Sequence, residues 1–312
     1  MIPLAVTRRR LVAGLGAGVL SMVACGNVSW LARDSQPTLR LVFYSDVHAR
    51  TEWGTPEALA LATQAINATK PDLVVACGDL ITDGFQSSAA TVAPRWDEYV
   101  KMHEGIEADM YPVLGNHDLV AAIPDDGTPP AEDPRAVFRE RLGVERTYYS
   151  FVAGGYRFFV LDSIEVTGGE LKYRGWIGEE QQAWLRSELS RLPRTTPIVV
   201  ALHIPLLTAF YGATEGTTFA ARPNRVVVNN REVLELFEEH NLVLVLQGHL
   251  HVSELIRWQG TTFITAGAIS GKWWRGSWFG TPEGFNVVTL RGNRVDWEYV
   301  EYGWTARRPR NE

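Results

Sequence analysis

Cysteine is almost missing from this sequence: 312 residues contain only Cys25 and Cys77. So few thiols exclude a disulfide-stapled scaffold and a cysteine-rich structural zinc site. A Cys25–Cys77 bridge would tie the N-terminal tail to the end of a buried strand. Cys77, which closes the apolar run Leu73–Ala76, is therefore expected to be an unpaired buried residue. Basic charge is scarce as well. The formal net charge is −6, and the first 25 residues carry three arginines and no acid, so removing them (−6 minus 3) leaves −9. That balance argues against a general nucleic-acid binder but not against turnover of a small anion. A long apolar run is the third thing lacking. Leu11–Ala24 is uncharged but shorter than the roughly 20 residues a spanning helix requires.

That apolar run does resemble an address. Thr7-Arg8-Arg9-Arg10-Leu11-Val12 followed by Leu11–Ala24 has the charged and apolar regions of a secretory signal and resembles a twin-arginine export signal. Met22-Val23-Ala24-Cys25 also resembles a bacterial lipobox, whose cysteine would carry a lipid anchor to the membrane. The expected organisation is a signal segment over 1–25, a tether over 26–37, one catalytic domain over 38–305 and a tail over 306–312. The expected location is outside the cytoplasm of a bacterium, in the periplasm or cell envelope.

Short apolar runs then alternate with helical patterns. Leu39–Tyr44, Asp72–Ala76, Met110–Leu114, Phe158–Leu161, Ile198–Leu202 and Leu242–Leu246 read as buried strands. A helix is expected after Thr55-Pro56-Glu57, with Thr55 as its cap, and others over 179–192 and 231–240. Paired strands are expected around Gln259-Gly260 and around Arg291–Arg294. The class is α/β, with mixed sheets packed together and flanked by helices. Two long irregular stretches, Leu119–Pro134 and Leu206–Asn230, each follow a chemically loaded strand end, which favours functional loops.

Those strand ends carry the chemistry. The first run leads into Ser45-Asp46-Val47-His48, and the second into Cys77-Gly78-Asp79-Leu80-Ile81-Thr82-Asp83-Gly84. The third leads into Gly115-Asn116-His117-Asp118, the fifth into His203, and the sixth into Gln247-Gly248-His249-Leu250-His251. Five of the seven histidines lie in these turns, and only His103 and His240 fall elsewhere. Ligands of α/β sheets bind beyond the carboxyl ends of the strands. Imidazole and carboxylate suit borderline and hard divalent ions. Asp46, His48, Asp79, Asn116, His203, His249 and His251 are more donors than one ion with an open position needs, so they suit two ions. Two ions a few Å apart can clamp both oxygens of an in-line displacement at phosphorus.

In this order the five blocks resemble the calcineurin-like metallophosphoesterase superfamily, with similarity from Leu39 to about Trp304. The resemblance implies a four-layer αββα sandwich with two mixed β-sheets and a dinuclear site at the C-terminal ends of the strands. It implies that Asp46, His48 and His251 bind one ion, that Asn116, His203 and His249 bind the other, and that Asp79 bridges them. It gives His117 contact with the phosphate and the leaving oxygen. Asp118 either orients His117 or caps its own turn. Asp83 and Asp162 are expected to be structural. The ions would be divalent or trivalent Mn, Fe or Zn. Thr82 stands where iron–zinc members carry a ligating tyrosine, which favours Mn or Fe without tyrosinate colour.

The expected reaction is hydrolysis of a phosphate ester by a metal-bridging hydroxide. A phosphodiester is favoured because Gly271–Gly276 and Glu283-Gly284-Phe285 look similar to bacterial phosphodiesterase-like members. The alternatives are a phosphomonoesterase with the same site and a metal-dependent binding protein of the envelope without turnover. Trp273, Trp274, Arg275 and Arg222 are the candidate substrate contacts, by stacking or by charge.

Overall fold

The computed structural model describes residues 38–307; the expected signal segment and tether and the last five residues lie outside the described residues. The chain opens with β1 (Thr38–Tyr44), α1 (Thr55–Ala68), β2 (Leu73–Cys77), α2 (Ala89–Gly105) and β3 (Asp109–Val113). It continues through α3 (Ala136–Leu142), the hairpin β4 (Tyr149–Ala153) and β5 (Tyr156–Val160), and the small pair β6 (Ile164–Val166) and β7 (Tyr173–Gly175). Then come α4 (Glu179–Ser190), β8 (Pro197–Ala201), α5 (Phe210–Thr214), α6 (Asn230–Glu235) and β9 (Asn241–Gln247). Two hairpins finish the fold: β10 (Glu254–Trp258) with β11 (Thr261–Thr265), and β12 (Gly284–Arg291) with β13 (Arg294–Glu301).

The strands form a five-stranded sheet in the order β13-β12-β1-β2-β3 and a six-stranded sheet in the order β10-β11-β9-β8-β5-β4. The six-stranded sheet has a parallel centre and antiparallel edges, whereas the five-stranded sheet is parallel through β1, β2 and β3 and antiparallel through β12 and β13, because every helical crossover returns a strand in the same direction and every tight turn reverses it. Alternation along the strands splits the core in two. Leu39, Leu41, Phe43, Val75 and Cys77 of one sheet pack against Phe158, Val160, Val199, Ala201 and Leu246 of the other. Their neighbours Val42, Tyr44, Val74 and Ala76 face Ala58, Ala62, Ile66, Trp96 and Tyr99 of the first helices; Val200 faces outward in the second sheet. Strands covered on both faces read as continuous apolar runs, which is why they are visible in the sequence. The result is a four-layer αββα sandwich. No helix among the described residues is long and apolar enough to cross a membrane.

Three local readings change. The residue capping α1 is Gly54, in the left-handed region at φ 75°, and Thr55 is its buried first residue without a side-chain cap bond. Helix α2 carries no clear sequence signal because Pro94 lies inside it; the Ser88 hydroxyl starts it by accepting the Thr91 N–H. Helix α6 stops at Glu235, and the stretch up to His240 continues in tighter turns, with Phe237 N–H donating to the Leu234 carbonyl and His240 N–H to that of Phe237. Cys77 is buried and free, its thiol donating to the Leu202 carbonyl at 3.0 Å.

Candidate metal centre

The parallel strands β1, β2 and β3 end on one edge of their sheet, and β8 and β9 do the same in theirs. The turns beyond them bring the five motif blocks together. Asp46, His48, Asp79, His249 and His251 all adopt positive φ, between 46° and 72°. Non-glycine residues avoid this region at a cost of about 1–2 kcal/mol each, so the clustering marks a site where the surrounding structure enforces strain. The enforcing bonds are visible: Asp46 N–H donates to Gly78 O, His48 N–H to Asp79 O and Gly248 N–H to His203 O, each at 2.9 Å. Gly78, at φ 87°, also leaves room for a ring, since a Cβ there would lie 2.6 Å from His203 Nδ1.

Donor atoms converge in three overlapping groups: Asp46, His48 and His251; His48, Asp79 and His117; and Asp79, His203 and His249. Asp46 Oδ1 lies 3.2 Å from His251 Nε2, and Asp79 Oδ2 lies 3.2 Å from His203 Nε2 and 3.7 Å from His48 Nε2. Asp79 and His48 thus link the two halves. Three histidines have one nitrogen committed to a carbonyl. His203 donates from Nδ1 to Cys77 O at 2.8 Å, His251 from Nδ1 to Gly271 O at 2.5 Å, and His249 from Nε2 to Asn224 O at 2.9 Å. Those bonds fix tautomers and aim the remaining nitrogen inward.

The arrangement fits cations. His203 Nε2 and His249 Nδ1 face each other at 3.2 Å, as do His48 Nε2 and His251 Nε2. With the opposite nitrogen donating to a carbonyl, the neutral rings of His203, His249 and His251 each turn a lone pair into the site. Asp46 Oδ1, His48 Nδ1 and the Asn116 carbonyl oxygen are buried without a hydrogen bond. Buried polar atoms are rarely left so, and a bound cation would satisfy the acceptors.

Electrostatics point the same way. Burial pushes Asp79 and Asp46 upward, yet the surrounding histidines, His203 for Asp79 and His251 for Asp46, hold both well below the usual carboxylate range. Burial depresses His203, but the Asp79 carboxylate outweighs it and raises the ring to about 9. His249 is depressed to about 3 by burial, then by the charges of His203 and Arg225. Carboxylates held ionised among buried imidazoles suit a site that receives cations.

His117 lies at the mouth, edge-on to His48 with ring centroids 4.8 Å apart, and its Nδ1 accepts the Asp83 backbone N–H at 3.1 Å. Asp118 does not orient it. Its carboxylate accepts the backbone N–H groups of Leu80 (2.7 Å), Ile81 (3.2 Å) and Gly115 (2.8 Å), and so ties two motif blocks together. Those three backbone bonds give Asp118 the capping role. Asp162 is structural as expected, accepting from Arg135 (2.6 Å) and Thr147 (2.8 Å). Thr82 is buried, its carbonyl accepting from Arg95.

Among the candidate substrate contacts, Trp273 lies over the site, its ring 4.5 Å from that of His251. Trp274 does not offer a face. It is buried and donates its indole N–H to the His48 carbonyl at 2.9 Å, which positions His48. Arg275 is exposed on the rim, where its charge acts on Arg50. Arg222 is exposed and its carbonyl accepts the Arg225 N–H at 2.8 Å. Arg225 is the arginine of that loop whose charge reaches His249, Tyr173 and Tyr211. Arg50 was also missed. It follows the first block by two residues, its guanidinium lies over Trp53 at 3.9 Å, and its Nε is buried without a hydrogen bond. Its spacing from His48 was the available signal for Arg50; nothing in the sequence distinguishes Arg225 from Arg222.

Comparison with known proteins agrees with this geometry. The family model described as calcineurin-like phosphoesterase matches residues 39–253. Purple acid phosphatase 13 of Arabidopsis thaliana is 32% identical over 132 residues, 40% of this chain and 23% of its own length. The matched region thus spans under a quarter of that relative. A dimetal phosphatase from Danio rerio superposes with a TM-score of 0.58 at 16% identity, covering 86% of this chain and 100% of that one. A purple acid phosphatase from yellow lupin (Lupinus luteus) seeds gives 0.54 at 17% identity, covering 86% and 52%. At such identities the structural likeness establishes the fold.

Proposed function

The chain belongs to the calcineurin-like phosphoesterase family, and from that premise we propose that it hydrolyses phosphodiesters at a two-metal centre. Asp46, His48 and His251 would hold one ion. Asn116, His203 and His249 would hold the other, and Asp79 would be shared. The observation that carries this reading is the pair of inward-facing imidazole nitrogens, 3.2 Å apart in each half, joined through Asp79. When bound, two such ions lower the pKa of a water and neutralise phosphate oxygens.

The chain's own residues do the rest. Asn116 adds an oxygen donor without charge, so the centre keeps more positive potential for an anionic substrate. Arg225 adds positive charge beside His249, and Arg50 carries another two residues beyond His48. His117 Nδ1 accepts an N–H from Asp83, so its proton sits on Nε2 in the neutral ring. A ring in that state stabilises the leaving oxygen by donating a hydrogen bond from Nε2. His117→Ala should therefore lower kcat by about 10²-fold. The loss should grow as the leaving alcohol becomes more basic, because more charge then accumulates on its oxygen. A plot of log kcat against leaving-group pKa checks this: the variant's slope should be steeper, and an unchanged slope would remove His117 from the leaving group.

The diester preference rests on the rim. A diester brings a second organic group, and the Trp273 ring beside His251 offers it an apolar wall. The monoester reading is favoured by the similarity to purple acid phosphatase 13. The full chain, stripped of metal and reloaded with Mn²⁺, should turn over bis-p-nitrophenyl phosphate with a kcat/KM at least about tenfold above that for p-nitrophenyl phosphate. The reverse ratio would establish the monoesterase. Turnover of neither, with two ions bound, would make the chain a metal-dependent binding protein.

A further inference from the structure

Aromatic side chains from two segments distant in sequence meet beside the candidate metal centre. The Trp273 ring, 4.5 Å from that of His251, is followed by Trp278 at 6.2 Å, Phe279 at a further 4.7 Å and Phe210 at a further 5.0 Å. Tyr211 follows at 5.1 Å and Phe219 at 5.8 Å. The row crosses from the His251 half of the site toward the Arg225 side, since the charge of Arg225 acts on both Tyr211 and His249. Phe279 is 58% exposed and Phe219 44% exposed. Side chains recruited only to fill a core would not present that much carbon to water, and a ridge continuous with a reaction centre reads as a recognition surface.

Resting on the phosphodiester reading above, we infer that the ridge Trp273–Trp278–Phe279–Phe210–Tyr211–Phe219 binds an alkyl or acyl arm of the substrate, so that the enzyme acts on amphiphilic phosphate esters. The ring geometry selects a chain over a nucleobase. Phe279 meets both Trp278 and Phe210 at 90°, and Lys272 Nζ covers a face of Trp278 at 4.4 Å, so these rings form no flat slot between parallel faces. A base covers about one ring, whereas six rings in succession offer a length of apolar surface that only an extended chain can use.

The test compares methylphosphonate with octylphosphonate, below micellar concentration, binding to the Mn²⁺-loaded full chain by calorimetry. Partial burial of the longer chain should make octylphosphonate bind about 30-fold more tightly. Phe219→Ser/Phe279→Ser should reduce that ratio to below about fivefold, while Trp258→Ser, equally exposed at 58% on the β10–β11 hairpin, should keep it. Equal affinities in the wild type would overturn the proposal, as would a ratio untouched by the double variant. Ridge-dependent binding to phosphatidylcholine vesicles without any chain-length preference would make the ridge a membrane-docking surface and likewise overturn it. So would competition by adenosine 5′-monophosphate that exceeds octylphosphonate and depends on Phe279. Methyl and octyl p-nitrophenyl phosphates, run alongside, separate the two claims. A binding ratio that persists without turnover keeps the ridge and removes the hydrolytic reading.

Discussion

Asp79→Asn should reduce bound metal from two ions per chain to one or fewer and lower kcat/KM by at least about 10³-fold, some 4 kcal/mol of transition-state stabilisation. Asp79 Oδ2 faces His203 and His48 at 3.2 and 3.7 Å, and Asp79 belongs to two of the three donor groups. Only Asp46 and Asp79 among the seven candidate ligands carry negative charge. Two divalent ions against two carboxylates would leave a net +2; removing one carboxylate would leave +3, with no protein carboxylate left to be shared by both ions. The amide is isosteric, and its oxygen can still accept the His117 N–H that Asp79 Oδ1 accepts at 2.8 Å. The turn should therefore survive, and stability in the presence of chelator should change by less than about 2 kcal/mol. Metal analysis by mass spectrometry, the diester assay and a thermal melt with chelator check the three parts. Two retained ions and a rate within tenfold of wild type would show that Asp79 is not shared.

That Asp46, His48, Asp79, His203, His249 and His251 meet at all was legible because each follows a strand buried on both faces. A continuous apolar run such as Leu242–Leu246 fixes the strand, and the first polar residues beyond it must then lie on the edge where β8 and β9 end. Pairing of β12 with β13 was equally legible, since Gly292-Asn293 separates two alternating segments. What the sequence could not convey were contacts made across the fold by backbone. His203, His249 and His251 are oriented by the carbonyls of Cys77, Asn224 and Gly271, which have no side-chain signature. Asp118 looked like a partner for its neighbour His117, but its carboxylate turns back onto Leu80 and Ile81, 37–38 residues earlier. Trp273 and Trp274, adjacent in sequence, take opposite roles because both adopt positive φ, and the turn that results sends one indole over His251 and the other beneath His48.

The backbone contact between the second and third motif blocks leads to the other large effect. Gly115 has φ −103° and ψ 170°, ordinary extended values, so it is not glycine for conformational freedom. It is glycine for space: a Cβ there would lie 2.0 Å from the Asp79 nitrogen and 2.3 Å from Asp79 Oδ1. Neither block can yield easily, because Asp118 clamps Gly115 N–H on one side and Leu80 and Ile81 N–H on the other. Gly115→Ala must push the Asp79 turn and the Asn116-His117 turn apart by about 1 Å, and a displacement of that size in a reacting constellation costs about 10²-fold on its own. Loss of the shared carboxylate's position adds to it, so kcat/KM should fall by about 10³-fold with weaker metal retention. Overpacking of this rigid contact should cost about 2–4 kcal/mol of stability. Gly169→Ala, where an added methyl meets nothing within 4 Å, should stay within about 0.5 kcal/mol of wild type. Melting curves and diester kinetics on both variants decide the matter. A Gly115→Ala protein active to within tenfold would mean that the two turns slide past each other freely, and that Asp118 is not the clamp between them.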